Sequence, residues 1–303
     1  MSSRERRAKY ALMSIISNTA LIIMKVIAGV LSGSVSILSE AIHSGMDLVA
    51  SYVAYFSVKH SSKPADKGHP YGHGKIENLS AIIEGLLILI AAGLIIKEAV
   101  LKFSHASEIE MAEVAIVVML VSALTNLFIS RKLYKVAKEE DSMALEADAL
   151  HLKTDVYTSV GVAIGVLLIK VTGYTFLDPI VAILVALLIV KEALHLMGSA
   201  FDYLMDARLS DKEEEEIEKI IQSHSSQFID YHKLKTSKSG NRKFIDFHLT
   251  VEPDATVKET HALIGDIKKE MRERFEYCRV TIHLDPSKVQ EADPSSPEEG
   301  ARG

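Results

Sequence analysis

Between residues 11 and 200 the sequence runs through six apolar stretches of roughly bilayer length, at 11–30, 35–58, 79–101, 112–129, 143–171 and 176–196. A helix needs about 20 predominantly apolar residues to cross the hydrocarbon core, and lipid admits only helices or closed barrels. The pattern therefore predicts an α-helical membrane protein with six transmembrane helices. Hydrophobic residues make up 48% of the 303-residue chain, and they thin out sharply after residue 207. Three parts follow: a membrane domain over 1–207, a soluble domain over 208–286, and a polar tail over 287–303 whose Pro and Glu content reads as disordered.

Charge in the connections sets the orientation. Arg4, Arg6, Arg7 and Lys9 precede the first span. Lys59, Lys63, Lys67 and Lys75 follow the second, and Arg131, Lys132, Lys135 and Lys138 follow the fourth. The remaining connections carry almost no basic residues beyond Lys102. The positive-inside rule then places both termini, and the soluble domain, in the cytoplasm. The first apolar stretch lacks a small-residue cleavage site, so it reads as a retained helix and not a signal peptide. A net charge of −6 gives no basis for nucleic-acid binding. The one cysteine, Cys278, excludes a disulfide framework and a thiolate cluster. Any metal must be held by His, Asp and Glu.

Such residues occur where lipid penalises them. The second span contains His43 and Asp47, and the fifth contains His151 and Asp155. A four-residue spacing stacks each pair on one helix face. An ionisable group at the bilayer centre costs about 2.5–3.5 kcal/mol on insertion scales. Facing one another, the pairs offer two imidazole nitrogens and two carboxylates, a tetrahedral set that suits Zn²⁺ and is open to Co²⁺ or Cd²⁺. The plainer alternative is that each pair only hydrogen-bonds helices together. Glu40, Glu84 and Asn126 are read not as ligands but as interhelical hydrogen bonds or as groups near the membrane interface. Lys153 falls on another face and points away.

After the second span, KPADKGHPYGHGKIE forms a tight Gly- and Pro-rich loop. Asp66, His69 and His73 on it either hold a second metal ion or stand solvated. In the soluble domain, helical spacing over 211–223 and 256–275 and alternation over 228–236, 243–252 and 279–284 give the order αββαβ. That order suggests a small α+β ferredoxin-like domain. His232, His248, His261, His283 and Asp285 fall in it, either as a metal cluster assembled by the sheet or as separate surface residues.

The motifs GSVSILSEAIHSGMD, KPADKGHPYGHGKIE, LEADALHLKTDVYTS and VTIHLDP together resemble the cation diffusion facilitator family, and within it the YiiP-like bacterial zinc and divalent-cation transporters. The resemblance covers nearly the whole chain. It implies a transport site at His43, Asp47, His151 and Asp155, and a loop site at Asp66, His69 and His73. It also implies a binuclear cytoplasmic zinc site at His232, His248, His261, His283 and Asp285. It further implies an inner-membrane homodimer joined through the C-terminal domain and locked by a charged pair, Lys75 and Asp206. Two positions depart from the pattern. His43 stands where YiiP-like members commonly carry Asp, as in zinc-selective branches, and Leu284 stands where relatives can carry a polar group.

Imidazole titrates near pH 6.5, and metal binds only the deprotonated ligand, so metal and proton compete. The expected function is therefore Zn²⁺ efflux by metal/proton antiport, with alternating access. No G-x-x-x-x-G-K-[ST] loop suggests ATP use. The alternatives are the same machine carrying Cd²⁺, Co²⁺, Fe²⁺ or Mn²⁺, the last opposed by the two imidazoles, a membrane metal sensor that moves nothing, and a membrane hydrolase. The hydrolase lacks an extra carboxylate base and an H-E-x-x-H motif.

Overall fold

The computed structural model describes residues 3–32, 35–104, 113–174 and 176–287. They divide into two compact units. The N-terminal unit is built from six long helices: α1 (Ser3–Ser32), α2 (Val35–Ser61), α3 (Ile76–Ser104), α4 (Glu113–Glu139), α5 (Met143–Thr172) and α6 (Leu177–Leu204). Among the described residues, four stretches are long and apolar enough to cross a membrane: Ser3–Leu31, Ile76–Leu101, Val117–Glu139 and Pro179–Leu204. The helices α2 and α5 match them in length, at 27 and 30 residues, but carry the ionisable residues.

The unit is apolar outside and polar within, the reverse of a water-soluble bundle. Ile27, Leu86, Leu94, Leu120, Phe128 and Leu187 are exposed on its surface, while Asp47, Glu77, Glu84, Asn126, Asp148 and His151 are buried. Small residues let the backbones approach, as expected where lipid supplies no hydrophobic drive between helices. Ala81, Ala92, Ala147, Ala193 and Ala200 share one buried cluster between α3, α5 and α6. A side chain at Gly85 would place its Cβ 2.3 Å from Met197 Cγ, so α3 meets α6 there only through glycine. At one end of the bundle the buried Glu77 accepts from Arg7, Ser61 and Ser142, tying α1 and α2 to α3 and to the start of α5.

Three boundaries lie eight or more residues from the sequence reading: α1 begins at Ser3, α6 runs to Leu204, and α4 continues to Glu139. The basic residues Arg131, Lys132, Lys135 and Lys138 lie on the last turns of α4 and not in a loop. Neither Gly nor Pro interrupts that stretch, and the helix ends only before Asp141, whose φ is +54°.

The C-terminal unit follows the expected order: α7 (Asp211–Ser223), β1 (Asp230–Ser239), β2 (Arg242–Val251), α8 (Val257–Arg274) and β3 (Cys278–Pro286). The sheet order is β1-β2-β3. The strands β1 and β2 form a hairpin closed at Gly240, which takes φ +61°. The helix α8 is the crossover that lets β3 pair parallel to β2. It starts at a capping box: Thr256 Oγ1 accepts from Glu259 N while the Glu259 carboxylate accepts from Thr256 N at 2.9 Å. Alternation then decides the faces. Ile245, Phe247 and Leu249 are buried against Ile217, Ile221, Leu263, Ile267 and Met271 of the two helices. The intervening residues of β2 and β3 take the opposite face. The expected disordered tail lies outside the described residues, save Ser287.

With both helices resting on one sheet face, Phe247→Ala removes the centre of this core, and such truncations cost about 3–5 kcal/mol. The expected outcome is rapid proteolysis within 211–286 of the full-length protein while the helices of the N-terminal unit stay protected, read by limited proteolysis in detergent and mass spectrometry.

Candidate metal centres

Three groups of His and Asp side chains bring one potential donor atom from each residue within 4.8 Å of the others. The first lies in the helical unit. Asp47 on α2 and His151 on α5 are both buried, and His151 Nε2 lies 3.1 Å from Asp47 Oδ1. Asp155, one turn after His151, completes the group, and its Oδ2 accepts from Asn126 Nδ2 of α4 at 3.1 Å. His43 lies on α2 one turn before Asp47, but its side chain, like that of Glu40, is outside the described residues. His151 Nδ1 and Asn126 Oδ1 are buried without a hydrogen-bond partner. Lys153 stands away from this group, 3.7 Å from Glu192 of α6.

The sequence reading missed the polar lining beside this group. Asp148 is fully buried, and its Oδ1 accepts from Ser14 of α1 and Ser51 of α2, each at 3.1 Å. Asn18 Nδ2 donates to Ser51 Oγ at 2.8 Å. Lys25 of α1, also buried, donates to Ser44 at 2.6 Å. The signal was available in the spacing. Ser44, Asp47 and Ser51 repeat at three and four residues on α2, as Asp148, His151 and Asp155 do on α5, so each triplet forms one stripe.

The second group sits on the loop between α2 and α3. Asp66 Oδ1 accepts from the backbone N–H of His69 at 2.7 Å and of Gly68 at 2.9 Å. Those bonds, that from His69 foremost, hold the Asp66 carboxyl below the usual carboxylate range. His69 Nδ1 is 3.4 Å and His73 Nε2 3.5 Å from the same carboxylate. Asp66 and His69 are exposed, whereas His73 is mostly covered and its Nδ1 has no partner. Gly72, at φ +89°, makes the turn that folds His73 back. Lys75, which begins α3's approach, donates to the Leu204 carbonyl at 3.1 Å. Asp206, in the other unit, takes a left-handed backbone at φ +61°.

The third group is a product of strand register. The β2/β3 pairing sets His248 abreast of His283 and Thr250 abreast of Asp285. Both His248 and Asp285 therefore fall on the face away from the helices. His248 Nδ1 is 2.8 Å from Asp285 Oδ2, and His232 Nε2 of β1 is 3.3 Å from the same atom. The His248 ring lies 5.3 Å from that of His232 and 4.9 Å from that of His283, centre to centre. The bond from His248, aided by the nearby His232 and Lys233, holds the Asp285 carboxyl below its ordinary range. Alternation puts Leu284 on the opposite face, away from these donors. His261 is exposed on α8 and is not in the group. Imidazole and carboxylate donors gathered in this way are of the kind that divalent transition metals take.

Comparison with known proteins agrees with both units. The family model for the cation efflux transmembrane domain matches residues 11–205, and that for the cation efflux protein cytoplasmic domain matches 209–287. An uncharacterized transporter of Synechocystis sp. is 34% identical over 91% of this chain and 89% of its own. The manganese efflux system protein MneP of Bacillus subtilis is 31% identical over 94% of this chain and 98% of its own. The cation-efflux pump FieF of Shewanella oneidensis is 28% identical over 91% and 93%.

The Asp285 arrangement carries a signed pH dependence. Folding favours the ionised carboxyl, so the stability it adds is present above the unfolded value, about 3.9. It is lost as pH falls through the lowered native value. In metal-free protein, hydrogen exchange of β2 and β3 amides is expected to accelerate in that acid window, and Asp285→Asn is expected to remove the acid step.

Proposed function

Since the chain belongs to the cation diffusion facilitator family of cation-efflux transporters, we propose that it moves Zn²⁺ out of the cytoplasm in exchange for protons. The observation that carries this reading is the buried approach of Asp47 on α2 to His151 and Asp155 on α5. With His43 from α2 these residues form the transport site. All six helices cross the inner membrane, both termini face the cytoplasm, and the C-terminal domain joins two copies into a homodimer. Membership sets aside a hydrolase: the proposed site has to bind and release a cation, not activate a water.

The chemistry follows from the donors. Zn²⁺ takes nitrogen and oxygen ligands in a tetrahedron and requires them deprotonated. Metal arriving from the cytoplasm displaces protons from the imidazoles. The helices then open the site to the other side, where protons displace the metal. Asn126 aims Asp155 by donating to it, a role that outer ligand partners commonly play. The His232, His248 and Asp285 group, with His283 and His261, senses cytoplasmic metal. Metal there stabilises one arrangement of the dimer and so biases the helices. The loop site of Asp66, His69 and His73 lies on the cytoplasmic side as an entry site, and Lys75 with Asp206 braces the dimer near the membrane surface.

Manganese is the second reading, favoured by the likeness to MneP and by the two carboxylates, since Mn²⁺ prefers oxygen donors. The imidazoles favour zinc, and Cd²⁺, Co²⁺ and Fe²⁺ follow behind it. A sensor that transports nothing would have no use for buried donors in α2 and α5.

Flux in proteoliposomes under an imposed pH gradient tests the reading. Asp155→Ala is expected to abolish zinc-coupled proton movement while gel filtration still shows a dimer. Asn126→Ala is expected to weaken zinc affinity or flux by about 10–100-fold. Undiminished exchange in Asp155→Ala would remove that residue from the mechanism. His283→Ala is expected to lower zinc binding to the C-terminal domain by calorimetry, with a smaller effect on flux.

A further inference from the structure

Outside the three metal groups, the helical unit buries a carboxyl group that meets no hydrogen-bond donor among the described residues. Glu84 on α3 is fully buried, and neither carboxylate oxygen has a hydrogen-bond partner among the described residues. Its neighbours along α3, Ala81 and Ile88, pack with Ala147 and Leu150 of α5 and with Ile189, Ala193 and Leu196 of α6. A polar group in such surroundings is costly without a partner, and a charged one far more so.

Charged groups on the packed elements, among the described residues, are engaged elsewhere or exposed. On α5, Glu146 is paired with Lys138, and Lys153 with Glu192 of α6. On α6, Lys191 and His195 are exposed. Asp47 of α2 is engaged with His151. Asp148 of α5 carries another buried carboxyl near this face: it directly follows Ala147, which shares the buried cluster of Ala81 and Ile88. Asp148 itself is fully buried with Oδ2 unpartnered. It stands three residues before His151, on the same helix face. A buried carboxyl with no hydrogen-bond donor and no cation beside it ionises only at high cost.

We propose that Glu84, on the α3 face that packs against α5, is a proton-binding site distinct from the metal ligands, loaded while the neighbouring site is metal-free and emptied when a divalent cation occupies Asp47, His151 and Asp155. When the cation arrives, the carboxyl O–H bond of Glu84 breaks. Its electron pair stays on the oxygen, the proton passes to water, and the cation supplies the compensating positive charge one helix turn from Asp148. The site thus adds a proton to those displaced from the imidazoles. It rests on the antiport reading but makes a separate claim about one residue.

Two measurements on the full-length protein test it, with zinc alone as the probe. A hydrophobic carbodiimide modifies protonated carboxyls buried in an apolar setting. Mass spectrometry of the wild type in detergent is expected to find the adduct on Glu84, and zinc loading is expected to suppress it. Calorimetry in two buffers of different ionisation enthalpy is expected to show about one proton fewer released per zinc bound in Glu84→Gln than in wild type. Absent labelling, labelling that zinc does not suppress, or an unchanged proton count in a folded Glu84→Gln overturns the proposal. Zinc-protected labelling supports it even where vesicles show no proton exchange, which would overturn the antiport reading alone.

Discussion

An ionisable side chain placed among apolar helices has to meet another polar group or stay neutral, and that requirement organises the N-terminal unit. Its surface carries leucine, isoleucine and phenylalanine, and its interior carries Asp47, Asp148 and His151. The polar stripes of α2 and α5 meet where His151 Nε2 lies 3.1 Å from Asp47 Oδ1. The serines and asparagine of α1 and α2 continue the same seam, so that Asp148 is held by Ser14 and Ser51. Turning either helix would expose carboxylates to lipid. Its rotation is thereby fixed far more firmly than by the alanine contacts that surround it.

The same donor types recur on three scaffolds with different exposure. The helix group is buried, the sheet group half-covered, and the loop group largely open to solvent. On the proposed reading these differences suit different tasks. A buried site changes access only with the helices, a sheet site reports metal through domain packing, and an exposed loop exchanges ions readily. In the sheet group, parallel register alone aligns His248 with His283 and brings Asp285 onto the same face. The ligand geometry there is a consequence of strand pairing and not of any local loop.

Much of this was legible in the chain. The element order of the C-terminal unit follows from helical spacing and strand alternation, and its strands lie within a few residues of their expected places. The one-turn spacing within α2 and α5 pointed to Asp47, His151 and Asp155. The meeting of the two helices was not visible, since no local pattern reveals which faces pack together. Asp148 and Ser51 were passed over because serine and a lone aspartate look unremarkable in a span until the stripe is read at three and four residues. Glu84 was left as an interhelical bond or a group near the interface, and the structure gives it no such bond among the described residues. The end of α4 was misjudged because basic residues were taken to mark a loop, whereas Lys and Arg are good helix formers.

The central claim is that a single divalent cation is held between α2 and α5 by Asp47, His151 and Asp155, with His43. Anomalous diffraction at the zinc edge from crystals of the full-length protein grown with zinc addresses it directly. The account predicts a zinc peak between those helices with ligand atoms at about 2.0–2.2 Å. Zinc peaks confined to the C-terminal unit and the loop, with the helix group empty at saturating metal, would contradict it.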